Sequence, residues 1–264
     1  MGNNKSSVTQ DLKAETKWYD EEKFYIDSGH WTSLPIFVSR ERHWMQNQIS
    51  KIRFYSYLIK YISSKSYFHK AKILIAPIGT GANVQYLQGL YSNIHGADIS
   101  EKALSDCPSS VITKKTDIIQ SGYAYESFDI IICPLILHHV HKVGFEPFLT
   151  EYYRILKPGG VLAIQEPSKL FPPTWVTSFL RIFMGNVSGL VPDERPIYPP
   201  TLNRNLKNTG FTNIRYRGLS IIHVRFPVLL QSINLLLDFP IRAFWPFKMF
   251  CNHIGWYCEK SLSE

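Results

Sequence analysis

The sequence KILIAPIGTG at residues 72–81 joins a short apolar run to a glycine turn. The run at 72–76 has the length and aliphatic content of a strand that is buried on both faces of a sheet. In the turn, Gly79, Thr80 and Gly81 are small enough for a ligand to approach the backbone. A short helical pattern follows, with apolar side chains at Val84, Leu87 and Leu90. This stretch therefore predicts the first strand-turn-helix unit of a parallel sheet.

The alternation of strands and helices continues on both sides of this unit. The predicted strands lie at 72–76, up to 98, near 111–115, 128–133, 161–165, 211–216 and 254–259, and the predicted helices lie at 36–63, 145–156 and 201–209. The first of these helices carries one apolar stripe, which consists of Met45, Ile49, Ile52, Tyr55, Ile59 and Ile62. Strands that are buried on both faces and separated by helices predict an α/β fold with a doubly wound, mostly parallel, seven-stranded sheet.

The composition excludes several classes of protein. The chain has 264 residues, of which 45% are hydrophobic and 19% charged, so it contains enough apolar material for a full core and is not a disordered chain. Its four cysteines form no CxxC pair and show no metal-ligand spacing, so we predict reduced thiols and no metal site. The start of the sequence lacks the apolar run of a secretory signal, which favours a cytoplasmic location.

Polar residues follow the predicted strands at the edge where ligands bind in open α/β sheets. Asp98 ends the second strand, where a carboxylate can accept hydrogen bonds from both ribose hydroxyls of an adenosyl group. Asp117 and Ile118 follow the third strand and offer a polar and an apolar contact for an adenine ring. After the fourth strand come Cys133 and a run of histidines that begins with His138 and His139.

These residues, taken in order, resemble the core of the class I S-adenosylmethionine-dependent methyltransferases, and within them the type 11 group that acts on small molecules, sugars and lipids. The matching pieces are ILIAPIGTG, HGADIS, the Asp117-Ile118 pair, FDIIICPLILHHV and LKPGGVLAIQEP, across residues 72–166. The resemblance implies a Rossmann-like fold and S-adenosylmethionine as the cofactor. It also implies that the glycine loop passes under the methionine part, that Asp98 holds the ribose and that Asp117 contacts the adenine. The predicted cofactor-binding residues are Gly79, Thr80, Gly81, Asp98, Ile99, Asp117, Ile118 and Cys133.

One part of the glycine loop departs from the family pattern. The family opens this loop with an acid two residues before the first glycine, but here Ile75 stands at the position of the acid and Pro77 at that of the glycine. Proline has no N–H to donate, and an isoleucine cannot hold the amino group of the cofactor. A catalytically inactive methyltransferase-like binding protein is therefore an alternative. A nicotinamide-dependent oxidoreductase is a weaker one, because Val84 occupies the third glycine position of GxGxxG.

Methyl transfer to a hydroxyl group benefits from a base that removes the proton as the new bond forms. A histidine with an ordinary pKa near ~6.5 suits that role at neutral pH. His139 matches the histidine often found at this position in the family, so we predict His139 as the catalytic base, with His138 as the second candidate. We accordingly predict methylation at oxygen, on a small-molecule or lipid-linked acceptor.

The positive charge of the chain is concentrated on the acceptor side. The formal net charge is +8, and residues 204–248 contain seven basic residues and one acid, Asp238. Residues 227–250 are strongly apolar and aromatic, and no run is long enough to span a membrane. Apolar residues beside cations fit an element that contacts an anionic membrane from one side, although a helical cap that buries its own apolar face fits as well. No nucleic-acid-binding signature is present.

Together these features predict one methyltransferase domain over residues 1–264. It consists of an N-terminal arm and helix at 1–66, a cofactor-binding core at 67–166 and an acceptor-side region at 167–264. The acceptor-side region holds an apolar insertion before the last strand.

Overall fold

A computed structural model of the protein describes residues 40–140, 143–176, 179, 195–222 and 228–262. One sheet is formed by seven strands: β1 (Ile73–Ile75), β2 (Ile94–Asp98), β3 (Ile112–Lys115), β4 (Phe128–Pro134), β5 (Leu156–Pro167), β6 (Phe211–Ser220) and β7 (His253–Lys260). The main helices are α1 (Arg40–Ile62), α2 (Glu101–Ser105), α3 (Glu146–Ile155), α4 (Pro199–Thr209) and α5 (Val228–Ala243).

The sheet has the strand order β3-β2-β1-β4-β5-β7-β6. The first five strands are parallel, and β7 runs antiparallel to its neighbours β5 and β6. The predicted doubly wound, mostly parallel sheet of seven strands is confirmed. The order of strands reverses between β1 and β4, and this switch point is where such sheets bind ligands.

Side chains that alternate along the central strands build a core on each face of the sheet. In β4, Ile130 and Ile132 belong to the face covered by α1, whereas Ile131 and Cys133 belong to the face covered by α3 and α4. All seven residues of β4 are buried, as expected for a central parallel strand covered on both faces.

Helices α3 and α4, which cover the same face of the sheet, follow local signals in the sequence. In α3, Phe148, Tyr152 and Ile155 are fully buried, as their helical spacing predicts. Helix α4 starts with a proline pair and ends at Gly210, whose φ of +103° is a left-handed cap conformation. The predicted helix at 201–209 is therefore present and ends at this glycine.

Two helical predictions differ from the structure in detail. The buried face of α1 consists of Phe54, Tyr55, Leu58 and Ile62, while Ile52 of the predicted stripe is exposed. The shift of this face follows from packing, because α1 lies across β5, β6 and β7 and its rotation is set by the groove it meets there. After the glycine turn only a 3₁₀ turn forms, at Val84–Tyr86, and Leu90 is exposed.

The predicted insertion before the last strand is present. It consists of α5 and a short 3₁₀ turn at Phe247–Phe250, and it lies between β6 and β7 in sequence. Among the described residues, no helix is both long enough and apolar enough to cross a membrane. All four cysteines are free thiols, so the prediction of reduced cysteines is confirmed.

Candidate functional site

The candidate site lies at the carboxyl ends of β1, β2, β4 and β5. Backbone hydrogen bonds fix the first loop against its neighbours, since the N–H of Ala76 donates to Ile132 O at 2.9 Å and the N–H of Ile78 donates to Ala97 O at 3.0 Å. The Tyr152 hydroxyl of α3 donates to Ala76 O at 2.8 Å from the other face of the sheet. The loop after β1 is therefore held at the switch point from several directions.

Glycines give this loop its shape. Gly79 and Gly81 have φ values of +55° and +75°, in the left-handed region that favours glycine. A Cβ atom on Gly81 would lie 2.6 Å from Pro108 Cδ, so the position has no room for a larger residue. Thr80 lies between them and is partly exposed. Gly79 and Gly81 are buried, and the N–H of Gly81 donates to Ile78 O at 3.1 Å, so the turn is tightly packed.

Asp98 lies beside the glycine loop. Its Oδ2 atom accepts the N–H of Gly79 at 2.8 Å, and its Oδ1 atom accepts the N–H of Ser100 at 3.0 Å. Ser100 in turn caps α2 by accepting the N–H of Ala103 at 3.1 Å. Both oxygens of the Asp98 carboxylate therefore face the glycine loop and the start of α2.

The loop after β3 comes next to Asp98. The N–H of Thr116 donates to Asp98 O at 2.9 Å, which holds this loop at the end of β2. Asp117 follows, and its Oδ1 atom accepts the N–H of Ile119 at 3.0 Å, while Ile118 is buried. Ile99 lies between Asp98 and Ser100 and is half-buried. The structure therefore brings Gly79, Asp98 and Asp117 together along one edge of the sheet.

A buried histidine–glutamate pair lies after β4. Nδ1 of His138 is 2.7 Å from Oε2 of Glu166, the acid at the end of β5, and the Glu166 side chain has no exposed surface. The other oxygen of this carboxylate, Oε1, accepts the N–H groups of Ile136 and Leu137 at 2.9 and 2.7 Å. One carboxylate therefore holds both the backbone of the loop after β4 and the ring of His138.

His139 and Cys133 occupy different surroundings. The ring of His139 is half-buried and lies against that of His138, with 4.0 Å between the ring centroids. The Cys133 side chain is buried within the core between β4 and α3, and burial raises the pKa of its thiol well above the ordinary value. Any contact of Cys133 with a cofactor would therefore involve its backbone rather than its sulfur.

The residues of this edge fit the cofactor that the resemblance implies. Asn83, two residues after Gly81, is buried, and its Oδ1 atom has no hydrogen-bond partner among the described residues. A buried acceptor without a donor costs about 1–3 kcal/mol, so such an atom calls for a ligand or a water molecule. An acceptor next to the glycine loop suits the amino group of a bound amino acid, which Ile75 at the end of β1 cannot hold.

Sequence reasoning missed two residues of this site. Glu166 is an acid at the end of an otherwise apolar strand, and this contrast is the signal that could have identified it. Asn83 carries no comparable signal, because asparagine is common in turns and only the structure shows that its side chain is buried without a partner.

Comparison with known proteins finds similarity to methyltransferases in the central part of the chain. Residues 76–164 match the family model described as a methyltransferase domain. The chain is 29% identical over 162 residues to the hybrid PKS-NRPS synthetase pydA of an Acremonium species, which covers 54% of this chain and 4% of the synthetase. It is 30% identical over 122 residues to the probable methyltransferase ltbC of Aspergillus luteorubrus, which covers 39% of each protein.

Solved structures show the same fold over most of the chain. The magnesium protoporphyrin IX methyltransferase of Synechocystis PCC 6803, solved with bound SAH, superposes with a TM-score of 0.61 at 13% identity and covers 95% of this chain and 100% of that one. At such low identity the likeness is one of fold. The chain spans well under half the length of the two sequence relatives named above.

Proposed function

We propose that the chain is an S-adenosylmethionine-dependent methyltransferase and that it methylates an oxygen atom of a small-molecule or lipid-linked acceptor, and the match of residues 76–164 to a methyltransferase domain supports this proposal. The single observation that carries this proposal is the buried His138–Glu166 pair beside the cofactor edge. A transferase whose acceptor must lose a proton needs such a base, whereas an acceptor amine brings its own lone pair.

Each part of the cofactor has a residue suited to it. When bound, S-adenosylmethionine supplies an electrophilic methyl group on a positively charged sulfur. We assign the ribose hydroxyls to Asp98 and the adenine ring to Asp117 and Ile118. The backbone of the glycine loop lies under the methionine part, and Asn83 Oδ1 accepts a hydrogen bond from its amino group. In this assignment, Asn83 takes the role of the family's acid, whose position is occupied here by Ile75.

We propose His138 as the base, in preference to His139. With the Nδ1–H group donating to Glu166 Oε2, the imidazole is held in the tautomer whose basic nitrogen is Nε2. The carboxylate also stabilises the imidazolium that forms when Nε2 takes the proton of the acceptor. His139 packs against this ring and orients it, so the two histidines that the sequence singles out take different roles.

The acceptor is apolar in this proposal. The segment that follows β5 carries exposed apolar side chains at Trp175, Val176 and Phe179, near the carboxyl end of the strand that supplies Glu166. The relationship to a hybrid PKS-NRPS synthetase adds a polyketide chain as an acceptor class, whose acidic C–H groups would need the same base as a hydroxyl. Contact of the acceptor-side region with an anionic membrane would bring a lipid-linked acceptor to this opening.

Calorimetric titration with S-adenosylmethionine and S-adenosylhomocysteine tests the cofactor assignment. We expect binding in the micromolar range, which Asp98→Ala weakens by at least about 1 kcal/mol, or roughly fivefold. Asp106→Ala is the control, because it removes the same charge from an exposed position at the end of α2. No heat and no thermal stabilisation at millimolar ligand would contradict the proposal.

The same titration tests Asn83 when 5′-methylthioadenosine, which lacks the amino and carboxyl groups, is added as a third ligand. Asn83→Val removes the acceptor and keeps a side chain of similar volume. We expect this substitution to weaken the binding of S-adenosylmethionine roughly fivefold and to leave the affinity for 5′-methylthioadenosine unchanged. Equal weakening of both ligands would show that Asn83 only supports the fold of the loop.

A further inference from the structure

A cationic groove lies far from the glycine loop, at the β6 edge of the sheet. It has a volume of about 480 Å³ and forms where the C-terminal half of α1 crosses β6 and β7. Its charged lining residues are Lys60, Lys65, Arg215, Arg217 and Glu259. Four cations thus share one groove with a single acid.

The acid does not neutralise this groove. Glu259 is engaged by Lys65 Nζ at 2.7 Å and by the Tyr61 hydroxyl at 2.9 Å. Among the residues that the structure describes, no carboxylate lies within ion-pair distance of Arg215 or Arg217. Instead the two guanidinium groups lie over tyrosine rings, Arg215 over Tyr61 at 5.4 Å. Their charge is therefore held in place and left available to an anion.

An apolar ridge lies on α5 and the turn that follows it. Its members are large apolar side chains that are about half or more exposed: Ile233, Leu236, Leu237, Phe239, Phe244, Trp245 and Phe247. Leu236 is 77% exposed and Trp245 is 70% exposed. The acid of this segment, Asp238, points inward and is buried. The outer face of the ridge thus has no negative charge among its described residues.

The groove and the ridge meet at the β6 edge of the sheet. Arg242 of α5 donates from Nη1 to the hydroxyl of Tyr57, a groove residue, at 3.3 Å. Trp245 of the ridge donates from Nε1 to the Tyr216 hydroxyl at 3.1 Å, and the Tyr216 side chain lies on the face of the edge strand β6 opposite to the groove. Lys248 Nζ lies 4.3 Å from the centre of the same Tyr216 ring.

We propose that this surface docks on an anionic lipid bilayer, with a lipid phosphate in the cationic groove and the apolar ridge in the headgroup region. The two halves match the two chemistries of such a bilayer, because anionic headgroups attract cations and exposed Trp, Phe and Leu side chains enter the acyl boundary. Nucleic acid would match the cations but leave the ridge in water. A second copy of this chain would cover the ridge but bring no anion, since it presents the same cations.

This inference rests on the proposed function and deepens it, because docking would hold the protein on the same membrane as a lipid-linked acceptor. Docking itself can be measured without methyl transfer. Co-sedimentation of the full chain with vesicles of phosphatidylcholine, alone or mixed with phosphatidylglycerol, is the test. We expect binding to the mixed vesicles, weakened by added salt, and far weaker binding to phosphatidylcholine alone.

Variants separate the two halves of the surface. Arg215→Gln/Arg217→Gln should weaken binding to the mixed vesicles by more than about tenfold, since each cation near an anionic surface contributes on the order of fivefold. Leu236→Ser/Trp245→Ser should weaken binding to a similar degree. The control is Arg204→Gln/Lys207→Gln, which removes two exposed cations from α4 on the opposite face of the sheet and should bind as the unmodified protein does.

The titration with S-adenosylmethionine shows that each variant is folded, and it separates failure of this inference from failure of the proposed function. A protein that binds S-adenosylmethionine but sediments with neither vesicle overturns the docking proposal. Equal binding to both vesicles overturns the role of the groove. Self-association in sedimentation velocity that Leu236→Ser/Trp245→Ser abolishes, without vesicle binding, would make the ridge an interface between copies.

Discussion

Glu166 shows how one side chain can serve two purposes when its two oxygen atoms have different partners. Oε1 accepts two backbone N–H groups and Oε2 faces Nδ1 of His138, so the carboxylate is fixed in orientation before it acts on the ring. A buried carboxylate is costly unless its acceptor positions are filled, and here the loop after β4 and the histidine fill them. In the proposed mechanism, the backbone of this loop therefore orients the carboxylate that selects the tautomer of His138.

Replacing Glu166 by Gln should reverse that tautomer. The amide oxygen will stay with the N–H groups of Ile136 and Leu137, which places the NH₂ group at the former Oε2 position, opposite Nδ1 of His138. Nδ1 must then accept, so the ring proton moves to Nε2 and the basic nitrogen is lost at that position. NMR of protein labelled with ¹⁵N-histidine measures the tautomer directly.

Assignment of the His138 signal comes from its loss in His138→Gln, and His139→Gln is the matched control. An unmodified protein in which His138 already carries its proton on Nε2 would contradict the assignment of His138 as a base oriented by Glu166. Retention of cofactor binding by Glu166→Gln would show that any change in tautomer is not a result of unfolding.

At this scale the sequence identifies a residue when its position in the fold restricts its role. Asp98 could be predicted because it ends a strand beside a glycine turn, and the structure places it against Gly79. Glu166 could be singled out as an acid at the end of an apolar strand, but its partner could not be predicted, and Asn83 carries no signal, because both depend on side-chain orientation and burial. The choice between His138 and His139 as the base also depends on which of the two rings contacts a carboxylate.

At the scale of elements, Asp238 links α5 to the rest of the molecule through ion pairs and a hydrogen bond. Its carboxylate accepts Arg242 Nε at 2.7 Å, Arg53 Nη1 of α1 at 2.8 Å and the N–H of Ile221 after β6 at 3.1 Å. One buried acid therefore joins a helix that is apolar on its outer face to both α1 and the end of β6. Without this link, little on the outer face of α5 could hold the helix in place.

Asp238→Ala should destabilise the protein by about 3–5 kcal/mol, because it leaves Arg242 and Arg53 partly buried without their acid. For a chain of this size the change corresponds to a fall of roughly 10 °C in the melting temperature. Thermal unfolding measures it, and limited proteolysis should cut first within α5. Leu236→Asn is the matched control, because this residue lies on the exposed side of the same helix. Equal melting temperatures for the two variants would contradict the role of Asp238.

Elements could be predicted where local signals and burial agree. The capped helix α4 and the central strands fall where the sequence indicates, because proline, glycine and aliphatic runs act locally. The rotation of α1 could not be predicted, since Ile52 and Phe54 are both apolar and only the opposing strands decide which is buried. Strand β5 is also longer than predicted, because the turn residues at its start continue the strand.

At the scale of the whole molecule, each face of the sheet has a glutamate that binds residues of the helical layer. Glu151 of α3 binds Arg154 and the Ser121 hydroxyl after β3, while Glu259 of β7 binds Lys65 and Tyr61 at the end of α1. Burial opposes ionisation of both carboxyl groups, but these hydrogen bonds outweigh it and hold the pKa of each below its ordinary value. The two layers therefore depend on ionised carboxylates.

This dependence predicts how stability changes with pH. A carboxyl group whose pKa is lowered by folding stabilises the protein fully above its unfolded pKa, near 4.5, and loses that contribution as the pH falls through the folded pKa. We expect Glu151→Gln/Glu259→Gln to be less stable at neutral pH, by on the order of 1 kcal/mol for each partly exposed pair, and to lose less stability on acidification. Thermal unfolding between neutral pH and pH values below 4.5 measures both effects.

Glu146→Gln removes a charge from the exposed start of α3 and should keep the acid dependence of the unmodified protein. An equally steep loss of stability in the double variant would mean that other carboxylates hold the helical layers, because these two could then no longer contribute to the slope.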